Sequence, residues 1–421
     1  MIQQKYESTG VLEKPYAENR TYGSVRGKRL SLHDYKILKG ESSLSTRWQL
    51  LISVFNEYFL MNSSDDILKN YCNIIRMSED GRMQMKAMMI EEPNAYRLVD
   101  VDKPVPEVGW ALIQVKVAAV CATDLELING SIGKQYPIIP GHEWSGIVES
   151  VGSAKDEAWV GRRVVGSNDV VCLTCKECRS GRWRNCDSFR EIGFKADGAY
   201  AEYLVVPVYA LSELPECISF IQGALIEPLA VAIGTLEKVD FKLGETVVVM
   251  GAGSIGLNML AVAKAAGARR VIVTALSEKR LGFAREMGAF ETFAMEGRDI
   301  TNLIFDALEG YPDVVIEATG IEECVQSALA LARKSGKVAI AGFGRDEDIR
   351  IHIDDIHIKN LNVHGAGNNW NLVDKALDLL KDGILSTEKM ATHFFRLEEY
   401  EKALMMTKTR PDGFIKAVFL F

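Results

Sequence analysis

The stretch that most limits what this chain can become is Gly251-Ala252-Gly253-Ser254-Ile255-Gly256. An apolar run, residues 246–250, leads into it, and small and apolar residues follow at 254–266. The run reads as a buried strand and the following segment as a helix, joined by a turn too tight for most side chains. Gly251 permits the turn, Gly253 lets the backbone approach a ligand, and Gly256 lets helix and strand pack closely. Ser254 and Ile255 then open a helix whose free N–H groups suit a pyrophosphate. The alternation continues with a strand at 270–274, a helix at 278–287 and strands at 314–317 and 337–341. That rhythm predicts a parallel sheet covered by helices on both faces, placed at residues 234–366.

The end of the second strand of such a sheet usually carries a carboxylate for the ribose 2′-hydroxyl of NAD. Here that position is Ala275, and Ser277, Lys279 and Arg280 follow. With no carboxylate to repel a 2′-phosphate and two cations within reach, NADP(H) is favoured over NAD(H).

Four of the eight cysteines, Cys172, Cys175, Cys178 and Cys186, crowd into one short segment. In a chain of 421 residues without a secretory signal, such a group reads as a metal site rather than a disulfide framework. Four thiolates make a closed tetrahedral site for a structural zinc. Lys176, Arg179, Arg182 and Arg184 are expected to offset the thiolate charge. A reducing, cytoplasmic compartment follows. The net charge of −8 argues against a nucleic-acid binder, which needs a basic footprint. The apolar stretch 48–61 is too short and too polar to span a bilayer.

Residues 1–84 read as an extension, a surface appendage or poorly ordered arm, with helical patterns at 46–61 and 64–77. From residue 85 to about 207, short strands at 86–90, 95–99 and 111–117 alternate with Pro and Gly turns, which predicts a β-rich domain. Three short motifs stand out: Cys121-Ala122-Thr123-Asp124 after a strand, Gly141-His142-Glu143 before one, and Glu227-Pro228 ahead of the nucleotide domain. Thiolate, imidazole and carboxylate are the ligands of an open catalytic zinc site. Spacing alone does not bring residues so far apart together.

In this order the motifs resemble the zinc-containing medium-chain dehydrogenase/reductase family from about residue 85 to the end, nearest its sorbitol/polyol branch. The resemblance implies an α/β chain with a GroES-like catalytic domain at 85–233, a zinc lobe at 172–186, a Rossmann coenzyme domain and a C-terminal return at 367–421. It matches Cys121, His142 and Glu143 to catalytic-zinc ligands, and Glu227 to a carboxylate that ligates the zinc or holds its water. Two zinc ions per chain follow, with a homodimer or homotetramer. The implied reaction is reversible oxidation of a secondary alcohol, a polyol, sugar alcohol or cyclitol, to the ketone. Zinc lowers the pKa of the hydroxyl, the proton leaves through Thr123 or near Glu227, and hydride passes to the nicotinamide. Asp124 orients the Cys121 loop. Asn368, Asn369 and Trp370 stand where the family lines its substrate cleft.

Two departures bear on the alternatives. Many relatives carry His where this chain has Glu126, which weakens a threonine dehydrogenase reading. The extension has no counterpart in the family core, so it is an arm or translation starts at Met77, Met83 or Met85. An NAD-dependent sugar-alcohol-phosphate or amino-alcohol dehydrogenase stays open. A non-catalytic binding protein on the same fold is opposed by the complete ligand set.

Overall fold

The computed structural model describes residues 82–133, 135–295, 300–344, 348–367 and 372–421, with the backbone of 24–25 and 28–29. The chain divides into two units, Met1–Arg76 and Met77–Phe421. In the first, Ser24–Val25 pairs antiparallel with Lys28–Arg29. The helical patterns expected at 46–61 and 64–77 lie outside the described residues.

The second unit holds two main sheets. One has seven strands, in the order Leu211–Glu213, Arg163–Gly166, Glu143–Val151, Trp110–Ala119, Lys416–Leu420, Ala391–Phe395, with Tyr203–Pro207 also paired to Trp110–Ala119. Beta-branched and aromatic residues suit these positions because they pack well on a pleated, buried surface. Ile113, Leu204, Tyr200 and Phe419 are fully buried in its core. The last strand of the chain enters this sheet antiparallel to Trp110–Ala119, with Val418 opposite Ala119.

The other sheet has six strands, in the order Glu291–Ala294, Arg270–Ala275, Thr246–Met250, Val314–Glu317, Lys337–Ile340, Asn362–Gly365, all parallel. Every residue of Thr246–Met250 is buried, which is why the segment is continuously apolar from Val247 to Met250 rather than alternating. Val247 and Val249 face the core under the helices Ile226–Lys238, Ser254–Ala265 and Leu372–Lys381. Val248 and Met250 face the other way, toward Ile304, Leu308 and Leu329 of Thr301–Leu308 and Glu322–Leu331. This is the doubly wound α/β arrangement, with ligands expected outside the carboxyl ends of the strands. Among the described residues no helix is long and apolar enough to cross a membrane.

Candidate active site and metal centres

The thiols of Cys172, Cys175, Cys178 and Cys186 lie within 4.8 Å of one another. The chain bends around them through Leu173, at φ 58°, and the short helix Lys176–Arg179 that Cys175 caps. Backbone N–H groups point at the sulfurs: Cys175 N to Cys172 Sγ at 3.3 Å, Cys178 N to Cys175 Sγ at 3.4 Å, Cys172 N to Cys186 Sγ at 3.4 Å. Hydrogen bonds from Thr174 and from backbone amides hold the Cys172 thiol down at about 5. Burial pushes Cys178 up to about 12. Four gathered sulfurs under amide donors fit a closed zinc site. Two of the four cations expected to offset the thiolate charge pair with nearby carboxylates. Arg182 pairs with Glu177 at 2.7 Å, and Arg184 lies 3.9 Å from Asp169 and 3.7 Å from Glu191. Nearby carboxylates hold these two guanidinium groups, and backbone amides face the sulfurs.

The second cluster is made by strand pairing. Ala119, two residues before Cys121, sits directly opposite Glu143 in the antiparallel pair of Trp110–Ala119 and Glu143–Val151. That register brings Cys121 beside His142 and Glu143, and the three donor atoms lie within 4.8 Å of one another. Gly141, at φ +101°, must be glycine, because a Cβ there would lie 2.4 Å from the Tyr200 ring. Cys121 caps the helix Ala122–Asn129, whose third residue is the fully buried Asp124. Asp124 Oδ2 accepts from Cys121 N at 2.8 Å and from the Tyr200 hydroxyl at 2.5 Å. Its Oδ1 faces His142 Nδ1 at 3.3 Å. Burial works to lower the His142 pKa, but the charges of Asp124 and Cys121 outweigh it and raise it well above the ordinary value. Sulfur, imidazole and carboxylate thus converge on one point, and this donor set fits zinc.

Sequence reasoning missed Lys416. Its Nζ donates to both oxygens of Glu143, at 2.6 and 2.8 Å, with both residues buried. Burial works against its charge, but Glu143 and Cys121 raise its pKa. A lone lysine in an otherwise apolar final strand was the available signal. Glu143 thus divides its carboxylate between Lys416 and the donor cluster. Glu227, in the first turn of Ile226–Lys238, stands outside the group of three. Burial pushes its carboxyl up to about 7, with His142 pulling it down and Glu143 and Glu191 pushing it up.

The coenzyme loop faces the same cleft. Cys121, Thr123, Gly253, Ser254, Ile255 and Arg280 all line it, and Glu126 does too. The Thr123 hydroxyl donates to Cys121 Sγ at 3.1 Å. A Cβ on Gly256 would lie 1.8 Å from the Gly251 oxygen, whereas a Cβ on Gly253 would meet nothing within 4 Å. The third glycine therefore serves packing, and the second leaves room for a ligand. The buried Ser254 hydroxyl has no partner among the described residues, at the start of a helix of 12 residues. That orphaned group and the open face at Gly253 fit a pyrophosphate.

Ala275 is buried at its strand end. Ser277 Oγ accepts from Arg280 N at 3.2 Å, capping Glu278–Glu286. The same hydroxyl donates to Asp412 at 2.6 Å, and Lys279 Nζ lies 3.3 Å from Asp412. Arg280 Nη2 donates to the Arg410 oxygen at 3.3 Å, while its buried Nε has no partner among the described residues. Asn368, Asn369 and Trp370, expected to meet substrate, lie outside the described residues.

Comparison with known proteins agrees with this geometry. Residues 107–216 match the alcohol dehydrogenase GroES-like domain, and residues 254–382 match the zinc-binding dehydrogenase domain. The sorbitol dehydrogenase of Bacillus subtilis is 32% identical over 328 residues, covering 76% of this chain and 92% of the relative. A putative zinc-binding dehydrogenase of Sinorhizobium meliloti, bound to NADP, superposes with a TM-score of 0.75 at 31% identity, covering 81% of this chain and all of that one. An alcohol dehydrogenase of Escherichia coli CFT073, complexed with NADH, gives 0.75 at 28% identity, covering 80% and 99%. A catalytic β-domain joined to a dinucleotide-binding domain defines an alcohol dehydrogenase of the medium-chain type. The chain belongs to the zinc-containing medium-chain dehydrogenase/reductase family.

Proposed function

We infer that this enzyme interconverts a secondary alcohol, a polyol, sugar alcohol or cyclitol, and its ketone, with NADP(H) in preference to NAD(H). The observation that carries the reading is that Cys121 and Thr123 of the β-domain and Gly253 and Ser254 of the coenzyme loop line one cleft. Polyol relatives such as the Bacillus subtilis sorbitol dehydrogenase support the substrate class. The bare Ala275 and the unpartnered Arg280 Nε support the coenzyme preference.

Cys121, His142 and Glu143 would hold one zinc, and the four lobe cysteines a second. A zinc held there would supply Lewis-acid polarisation of the substrate oxygen, and a bound nicotinamide would supply the hydride chemistry. Thr123, whose hydroxyl donates to Cys121 Sγ in the resting site, would turn that hydroxyl toward solvent at the cleft mouth and relay the substrate's proton, accepting it as its own proton leaves to solvent. Glu227 holds the water beside that path. Asp124 fixes the Cys121 backbone and the ring of His142. Ser254 and the first N–H groups of its helix bind the pyrophosphate. Among the described residues the strand Asn362–Gly365 is paired on one side only, which supports assembly as a homodimer or homotetramer. The thiols gathered as ligands support a cytoplasmic setting.

The test is initial-rate measurement on zinc-replete protein, with sorbitol, xylitol, erythritol, inositol and 2-butanol, each with NADP and NAD. Higher kcat/KM for one or more polyols than for 2-butanol is expected. Bound coenzyme without turnover of any alcohol or ketone would overturn the reading.

A further inference from the structure

The carboxylate absent from position 275 is supplied from another part of the chain. Asp412 lies in the turn between the helix Tyr400–Thr409 and the strand Lys416–Leu420. It reaches across to the start of Glu278–Glu286 and takes two groups that a 2′-phosphate would use, Ser277 Oγ at 2.6 Å and Lys279 Nζ at 3.3 Å. The turn is set close against that helix. Gly413, at φ +86°, has room for a Cβ only 3.3 Å from Lys279 Cδ, and Arg280 donates to the neighbouring Arg410 oxygen. The Lys279–Asp412 pair is more than half exposed on both sides, so it contributes little to stability and is readily exchanged. Arg280 keeps a buried Nε without a partner beside it.

We propose that Asp412 is the specificity-determining residue at the adenosine end of the coenzyme site, competing with the 2′-phosphate of NADP(H) for Ser277 and Lys279. This rests on the coenzyme site assigned above. A dianionic phosphate and a carboxylate cannot share one ammonium and one hydroxyl without repulsion. NADP(H) therefore binds with Asp412 displaced, whereas the 2′-hydroxyl of NAD(H) donates to Asp412 where it stands. Asp412 holds down the NADP(H) preference that Ala275 and Arg280 create.

The experiment measures Kd for NADPH and NADH by fluorescence, and for 2′,5′-ADP and 5′-AMP by calorimetry, on the full chain and on Asp412→Asn. The substitution is isosteric and exposed, and the melting temperature reports that the fold is kept. About a tenfold gain in NADPH and 2′,5′-ADP affinity is expected, with NADH and 5′-AMP unchanged or weaker. In a Lys279→Ala background the gain should shrink to less than about twofold. If 2′,5′-ADP outbinds 5′-AMP by the same factor in both proteins, the phosphate pocket stands and the role of Asp412 falls. Equal shifts for NADPH and NADH would leave Asp412 a mere clasp and overturn the proposal. If 2′,5′-ADP binds no better than 5′-AMP even to the variant, the NADP(H) preference itself falls, and this inference with it.

Discussion

The lobe and the cleft both gather metal-ligating side chains, but they are built in opposite ways. The lobe draws all four donors from residues 172–186 and surrounds them with amides of the same segment. The cleft draws its donors from the adjoining ends of two paired strands, and the partners that hold them come from further off: Tyr200 through Asp124, and Lys416 on Glu143. The lobe is closed on itself, with no position for substrate. The cleft opens onto the coenzyme loop. A local site can act on stability alone, whereas a site assembled across strands ties chemistry to the fold.

The largest expected effect tests that division. Cys121→Ser should lower kcat/KM by about a thousandfold, roughly 4 kcal/mol of transition-state stabilisation, while the melting temperature moves by no more than about 2 °C. Cys178→Ser should do the reverse. Opening the closed site should cost roughly 3 kcal/mol and lower the melting temperature by about 5 °C or more, with kcat per folded molecule within about threefold of wild type. Calorimetry, zinc content and initial rates on both variants decide the matter. Equal losses of stability from the two substitutions would erase the distinction.

A third substitution sharpens the cleft half. Tyr200→Phe removes one of the two hydrogen-bond donors on the Oδ2 atom of buried Asp124, leaving Cys121 N. A charge-assisted bond of that kind contributes about 2 kcal/mol. The loss should appear as roughly a thirtyfold fall in kcat/KM, with coenzyme Kd unchanged, because Asp124 orients Cys121 and His142 rather than the dinucleotide. A loss of stability with kcat/KM intact would place Tyr200 in the core alone.

The same contrast explains what could be read from the residues. The lobe was legible because its donors are neighbours in sequence. The central strand Thr246–Met250 and its glycine turn were legible because a buried parallel strand is uniformly apolar and the turn requires glycine at Gly251. Strand boundaries shifted by a residue or two: the strand expected at 86–90 runs Gln84–Glu92, because its pairing with Ala95–Asp102 continues past the apolar stretch. The meeting of Cys121 with His142 and Glu143 depends on the register Ala119 opposite Glu143, which no local pattern specifies. Lys416 and Asp412 were invisible for the same reason. Each acts on a group more than a hundred residues away, and neither carries a local motif.

The smallest effect concerns the lobe side. Asp169, paired in strand register with Glu191, is buried, and that burial pushes its carboxyl up to about 6, with Arg184 opposing the shift and Glu191 adding to it. An acid whose folded pKa lies above its unfolded value of about 4 binds its proton more tightly when folded. Stability then falls as pH rises from about 4 to 6, and the penalty is fully present above that window. Asp169→Asn removes the ionisable group, so the variant should be more stable than wild type at pH 7.5, by on the order of 1 kcal/mol, and lose that advantage near pH 4.5. Melting temperatures at both pH values test this, with kcat expected to be unaffected. A variant that is less stable than wild type at pH 7.5 would show instead that the Arg184–Asp169 contact supports the lobe, and that its charges are not indifferent to the four sulfurs they border.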